Sequence, residues 1–207
     1  DVLLAEAFKF RHHPQFLKLK ELVDAGAVGE VGALRTTFTT GGSRPRDGLR
    51  PEMNWRFDPQ RGGGAIYDLG CYCLHAVRFI VGSEPLSAFA MADYHETCGI
   101  DFQNAVVLQF PGGVTAQITV GFGLHRSQEF EVYGTTGSLR TDRAWNNEGH
   151  AVRVDATLSG GVSARYDFPE TDHFHLQLRH MADCLLNGTT YRISPADSIG
   201  QMRAIDA

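Results

Sequence analysis

The sequence has little of most features that mark a specialised chain. Among its 207 residues are four cysteines and no C-x-x-C pair. A disulfide scaffold and a structural zinc site are therefore not expected, and a reducing, cytoplasmic compartment is the simpler reading. Positive charge is in deficit: 19 Lys and Arg against 24 Asp and Glu leave a net charge of −5. That balance excludes a basic nucleic-acid footprint and a polybasic membrane-binding stretch. No apolar run approaches the ~20 residues of a membrane helix, and Asp1 to Glu6 lack the charged and apolar regions of a secretory signal. The Asn187-Gly188-Thr189 glycosylation pattern then reads as a helix stop. Nine histidines include no Glu-bearing H-x-x-x-H, so no metal site is expected. The 23 glycines form neither a P-loop nor a dinucleotide fingerprint; Gly121-Phe122-Gly123 fails at the third glycine.

What is there is a core-forming composition, 43% hydrophobic, with two clear periods. Residues 2–8 read as a strand. His13-Pro14 opens a helix that buries Phe16, Leu19, Leu22 and Val23 and stops at Gly26. Residues 31–40 are a Thr-rich strand, followed by a Gly, Pro and Arg loop from Gly41 to Gly64. Ile66, Leu69, Cys73, Ala76, Val77 and Ile80 recur at helical spacing over Ala65–Val81, which Gly82 and Pro85 end. The period then becomes two, over residues 105–110, 114–121, 130–132 and 152–158, with Pro111-Gly112-Gly113 as a hairpin turn. Helices return at about 172–186 and from Pro195 to the last residue, Ala207. A block of strands flanked by helices is an α+β arrangement, built on an antiparallel sheet with one apolar face.

Within helix 65–81, Asp68, Tyr72 and His75 fall within about 60° of one another, at i, i+4 and i+7. The stripe reads either as a site, where Asp68 accepts hydroxyl donors and Tyr72 moves a proton, or as the exposed side of the helix. Gly62-Gly63-Gly64 lead into it. They permit close approach to a helix N-terminus that favours anions and polar ligands, or form a flexible surface loop.

Trp55-Arg56-Phe57-Asp58-Pro59 followed by Gly62-Gly63-Gly64-Ala65-Ile66-Tyr67-Asp68-Leu69-Gly70-Cys71-Tyr72 resembles the signature of the Gfo/Idh/MocA family of NAD(P)-dependent oxidoreductases. The stretches Glu6-Ala7-Phe8 to Arg11-His12-His13-Pro14, Ala25 to Val31 and Gly134 to Leu139 agree with it. The resemblance implies the C-terminal domain of that family. Its sheet is large, predominantly antiparallel and open-faced, with helices on one face, as in glyceraldehyde-3-phosphate dehydrogenase C-terminal domains. Residues 1–10 would be the last strand of an N-terminal Rossmann domain, and residues 11–207 the substrate-binding and oligomerisation domain. NAD or NADP would be held mainly by the Rossmann half, which would also bring a Glu-Lys-Pro lysine.

The residue four after the motif aspartate is His or Tyr in the family. With Tyr72 there, this chain is similar to the tyrosine branch, that of glucose–fructose oxidoreductase and dihydrodiol dehydrogenase. The resemblance makes Tyr72 catalytic and assigns substrate binding to Asp68, Arg11, His13, Arg56 and His75. A free tyrosine is ionised only about one part in a thousand at pH 7, so it needs a nearby cation to act as a base; without the lysine this stretch alone would be inactive. Substrates would be sugars, polyols or dihydrodiols, with no nucleic acid and no membrane, and the partner would be a second copy docked on the sheet's other face. Arg56 reads equally as a loop-clamping ion pair, and His75 as a core histidine. His173 and His175, flanking Phe174 at strand-like or loop spacing, remain unassigned. The competing functions are a non-catalytic carbohydrate sensor or scaffold of the same fold, and a metal-dependent hydrolase using the histidines.

Overall fold

The computed structural model describes residues 2–41 and 54–207. Eight strands make one sheet: β1 (Val31–Thr40), β2 (Ser87–Tyr94), β3 (Asp101–Gln109), β4 (Thr115–Phe122), β5 (Phe130–Gly134), β6 (Ser138–Thr141), β7 (Val152–Leu158) and β8 (Val162–Phe168). Their order is β2-β3-β4-β1-β5-β6-β7-β8. Every neighbouring pair is antiparallel except β1 and β4, which run parallel. Among the described residues four α-helices accompany it: α1 (Pro14–Asp24), α2 (Cys71–Val81), α3 (His173–Asn187) and α4 (Pro195–Ile205). The α+β class and the predominantly antiparallel open sheet are as expected.

Alternation along the strands decides which face is covered. Phe102, Val106 and Leu108 of β3, Ala116, Ile118 and Val120 of β4, and Leu34 and Phe38 of β1 are buried. Their neighbours at odd spacing, such as Ala105, Val107, Gln117 and Thr119, are exposed. Helices α1 and α2 pack on the buried face, α2 over β1 and β4 and α1 over β7. Trp145 closes the middle of that core against Phe10, Phe16 and Phe38, and its Nε1–H donates to the Thr37 carbonyl at 2.8 Å. A buried indole needs such an acceptor.

Several expectations are corrected. Residues 2–8 pair with no strand of this sheet, and the chain enters a 3₁₀ turn at Lys9–His12. Of the expected loop 41–64, residues 42–53 lie outside the described residues, and 54–64 form two 3₁₀ turns, Trp55–Phe57 and Pro59–Arg61. The strand β6, four residues long, is too short for its pattern to be read from the sequence, and neither β2 nor β8 is expected from it. These last two are the sheet edges, and neither has a fully buried face to impose a clear alternation. The last helix ends at Ile205 with Asp206 as its C-cap. His173 and His175 sit in the first turn of α3, capped by the Asp172 side chain. At its other end α3 does stop at Asn187, with Gly188 left-handed at φ 69°.

The stretch Pro59–Val81 is long and apolar enough by composition to cross a membrane, contrary to the reading of the sequence. It is not one helix. Gly62 and Gly64 break it at φ 73° and 127°, leaving a five-residue π-turn (Ile66–Gly70) and the eleven residues of α2. That remainder is shorter than a bilayer core requires, and 61% of the most apolar window is buried inside the fold, as suits a core helix.

Candidate active site

The segment before α2 is shaped by its own short-range hydrogen bonds. The Asn54 side chain accepts from the Arg56 N–H at 3.2 Å, and the Asp58 side chain from the Gln60 N–H at 3.0 Å, starting the two 3₁₀ turns. The glycine run is needed for close packing. A Cβ on Gly63 would lie 2.6–2.7 Å from the carbonyl oxygens of Trp55, Arg56 and Asp58, and one on Gly64 would strike the Asp101 carboxylate. The helix N-terminus that these glycines lead into is filled from within the fold: Asp101 Oδ2 accepts from the Ile66 N–H at 2.6 Å. Burial pushes the Asp101 carboxyl up, and the hydrogen bonds it receives oppose that shift.

This clasp fixes Arg56 so that its Nε donates to Asp68 Oδ2 at 2.8 Å, with the guanidinium over the Trp55 ring at 4.8 Å. Asp68 lies in the π-turn, a helix irregularity that recurs at functional sites. One turn on, the Tyr72 ring is held edge-on by Phe8 and Phe38, at 5.3 and 5.6 Å between centroids. Burial is the main cause that pushes its phenol up to about 12. The charges of Cys71, Asp68 and Glu148 add to the rise, and Arg56 opposes it. Tyr72, Asp68 and Arg56 share one cleft of about 390 Å³, walled by Phe8, Trp55 and Met202.

The other three residues expected to bind substrate do not line this cleft. His75 is 1% exposed, stacked under Phe8 at 4.3 Å, and its Nε2 accepts from Arg11 Nη1 at 2.7 Å. An arginine can only donate, so the His75 proton sits on Nδ1. Burial first, then the Arg11 and Arg78 charges, lower the imidazole to about 2. Arg11 lies over the Phe79 ring at 3.7 Å and 3.7 Å from Asp197; burial lowers it to about 10, with Asp197 opposing. Arg78 completes this network with Asp197 and Glu84. His13 is wholly buried, its Nδ1 capping α1 by accepting from the Gln15 N–H at 3.1 Å. Burial, then His173, lower it to about 4. His173 is buried against Glu148 at 2.8 Å while His175 is exposed, so the two do not act together. Among the described residues no group of three or more His, Cys, Asp or Glu side chains could hold a metal.

Sequence reasoning missed one wall of the cleft. Gln201, Met202 and Ile205 of α4 reach it from about 130 positions away, and the Gln201 amide donates to the Cys71 carbonyl at 2.8 Å. No local pattern signals such a contact. Glu6 and Cys71 also line the cleft and had been given no role.

Comparison with known proteins identifies the family and the fold. A family model described as the GFO/IDH/MocA C-terminal domain matches residues 16–140. The chain is 30% identical over 206 residues to a D-xylose 1-dehydrogenase (NADP(+)) of Haloferax volcanii, covering 100% of this chain and 61% of that protein. It is 25% identical over 199 residues to a trans-1,2-dihydrobenzene-1,2-diol dehydrogenase of Xenopus laevis, covering 91% of this chain and 56% of the relative. The crystal structure of a 3-ketoreductase from Actinomadura kijaniata, in complex with NADP and TDP-benzene, superimposes with a TM-score of 0.85 at 26% identity. That match covers 100% of this chain and 61% of the other. The chain thus spans about 60% of the length of the first curated relatives it matches.

Proposed function

Because this chain belongs to the Gfo/Idh/MocA family by its C-terminal domain, we propose that it forms the substrate side of an NAD(P)-dependent oxidoreductase. The enzyme would act on the CH–OH or carbonyl group of a sugar, polyol or dihydrodiol. The observation that carries this is the convergence of Arg56, Asp68 and Tyr72 in one cleft. Relatives named for xylose, a dTDP-sugar and a dihydrodiol support the substrate class.

The residues present fit one end of the cofactor. Trp55, part of whose ring is exposed in the cleft wall, offers an apolar surface that suits a flat nicotinamide, and Phe8 backs the cleft from beneath. The helix N-terminus that could cradle a pyrophosphate holds the Asp101 carboxylate instead. The rest of the dinucleotide would therefore be held by a separate domain, of which residues 1–10 are the last segment; residues 11–207 bind substrate and oligomerise. When bound, the nicotinamide supplies the site that gives or accepts hydride.

Arg56 engages one oxygen of Asp68 and leaves Oδ1 to accept a substrate hydroxyl. Tyr72, pushed up to about 12, stays protonated at neutral pH and is set up to donate to a carbonyl oxygen. In the oxidative direction it needs a cation close by to release that proton, the part a lysine from the other domain would play. Three free thiols, Cys71, Cys73 and Cys184, support a reducing, cytoplasmic setting.

The open face of the sheet supports pairing with a second copy. One row across it is apolar at Phe89 and Val107, then alternates in charge through Arg35, Glu131, Arg140 and Asp155. Apolar and alternating halves of this kind are self-complementary under a two-fold axis. Light scattering of the full-length protein is expected to give a dimer or larger; a monomer would remove this part of the reading. The activity is tested by NAD(P)H-linked turnover of full-length protein on aldoses, vicinal diols and keto-sugars. Failure to bind either nicotinamide cofactor would overturn the reading.

A further inference from the structure

The cleft holds one acidic group that neither the fold nor the proposed chemistry uses. Glu6 lines it beside Ala7 and Phe8, and its Oε2 is buried with no hydrogen-bond partner among the described residues. The placement is built: the Tyr191 hydroxyl donates to the Glu6 carbonyl at 3.3 Å, and Phe8, two residues on, is locked between Tyr72 and His75. Burying a carboxylate oxygen without a donor is costly. Arg56, the cation among the residues that line the cleft, gives its Nε to Asp68. The charge is felt locally, because Glu6 adds to the burial and the Asp68 charge that push the Cys71 thiol up to about 12. The cleft thus presents two carboxylates, Asp68 held by a cation and Glu6 without a donor.

We infer that Glu6 is a second ligand-binding carboxylate of this cleft, whose Oε2 accepts from a neutral donor on what binds there. The donor is either a hydroxyl of the sugar-like substrate or the carboxamide N–H of the nicotinamide. The inference rests on the oxidoreductase reading and adds a residue to it. Glu6 touches no reacting atom in this scheme, so its part is in affinity and orientation, not proton transfer.

The test uses full-length protein carrying Glu6→Gln, which keeps the shape, and Glu6→Ala, which removes the acceptor. NADPH binding is followed by its fluorescence in the absence of sugar. D-xylose binding is followed by calorimetry on NADP-loaded protein. Loss of a hydrogen bond to a charged group predicts a roughly tenfold to hundredfold weaker Kd for Glu6→Ala and a smaller loss for Glu6→Gln, at a melting temperature that does not fall. Weakening of NADPH alone identifies the carboxamide, and weakening of D-xylose alone the hydroxyl. Both Kd values unchanged, or a lower melting temperature with Kd unchanged, overturns the inference and makes Glu6 structural. Wild type binding neither probe would overturn the oxidoreductase reading with it. Wild-type affinities in both variants, alongside a Tyr72→Phe that loses turnover, would overturn this inference alone.

Discussion

The two halves of helix 66–81 carry the same kinds of residue along one stripe and come to opposite ends. At the start of the stripe, Asp68 and Tyr72 face a cleft with Arg56, each with a polar atom left for another molecule. One turn further, His75 meets Arg11 and, through it and Arg78, the Asp197 carboxylate. That half is closed, because Phe8 lies across it and α4 supplies the counter-charge. Residue type and spacing do not separate a site from a clamp. What separates them is whether the fold itself completes the hydrogen bonds.

The largest effect expected from this contrast is kinetic. Tyr72→Phe removes a hydroxyl that has no partner among the described residues, so stability should hardly move. Loss of a positioned proton donor predicts about 10²–10⁴-fold lower kcat in the full-length enzyme. Turnover within a few-fold of wild type would put Tyr72 on the structural side and leave a binding module.

The closed half should show itself in acid. His75 is lowered to about 2 in the fold, against about 6.5 in the unfolded chain. The unfolded state then binds a proton that the folded state refuses. The stability is present above pH 6.5 and is lost as pH falls toward the folded value. At about 1.4 kcal/mol per pH unit, His75 alone accounts for roughly 2 kcal/mol by pH 5. Arg11 and Arg78 oppose its protonation and Asp197, 3.9 Å away, favours it. Denaturant midpoints from pH 8 to 5 should fall less steeply in His75→Gln, which can still accept from Arg11. His12 and His13, both lowered to about 4 by burial, keep part of the slope. An unchanged slope would show that His75 is reached by protons and belongs with the cleft.

The same contrast explains what the sequence could reveal. Helix 65–81 was legible because Leu69, Cys73, Val77 and Ile80 bury one face at helical spacing, and the sheet because β3, β4 and β7 alternate against it. The Arg56, Asp68 and Tyr72 group was legible because twelve residues and one helix turn bring its members together. The fate of His75 was not, since the groups that cover it, Phe8 and Asp197, come from the two ends of the chain. The glycine run looked like an invitation to a ligand anion. The anion is Asp101, a side chain 35 residues from the Ile66 N–H it takes. Edge strands such as β2, exposed along its whole length, leave no clear alternation to read.

The smallest effect is the most discriminating. Arg56 and Asp68 form an ion pair at 2.8 Å whose side chains are 44% and 14% exposed. A pair so open to water holds the fold by under about 1 kcal/mol. If its purpose is to orient Asp68 for a hydroxyl, Arg56→Lys should barely alter the denaturant midpoint. A lysine keeps the charge without the fixed fork of the guanidinium, so it should raise KM several-fold through a less ordered carboxylate. A structural clamp would reverse that pattern, with a loss above about 2 kcal/mol and an unchanged KM. The ratio of those two numbers decides whether the open end of the helix is a site held by an ion pair, or a second clamp like the one around His75.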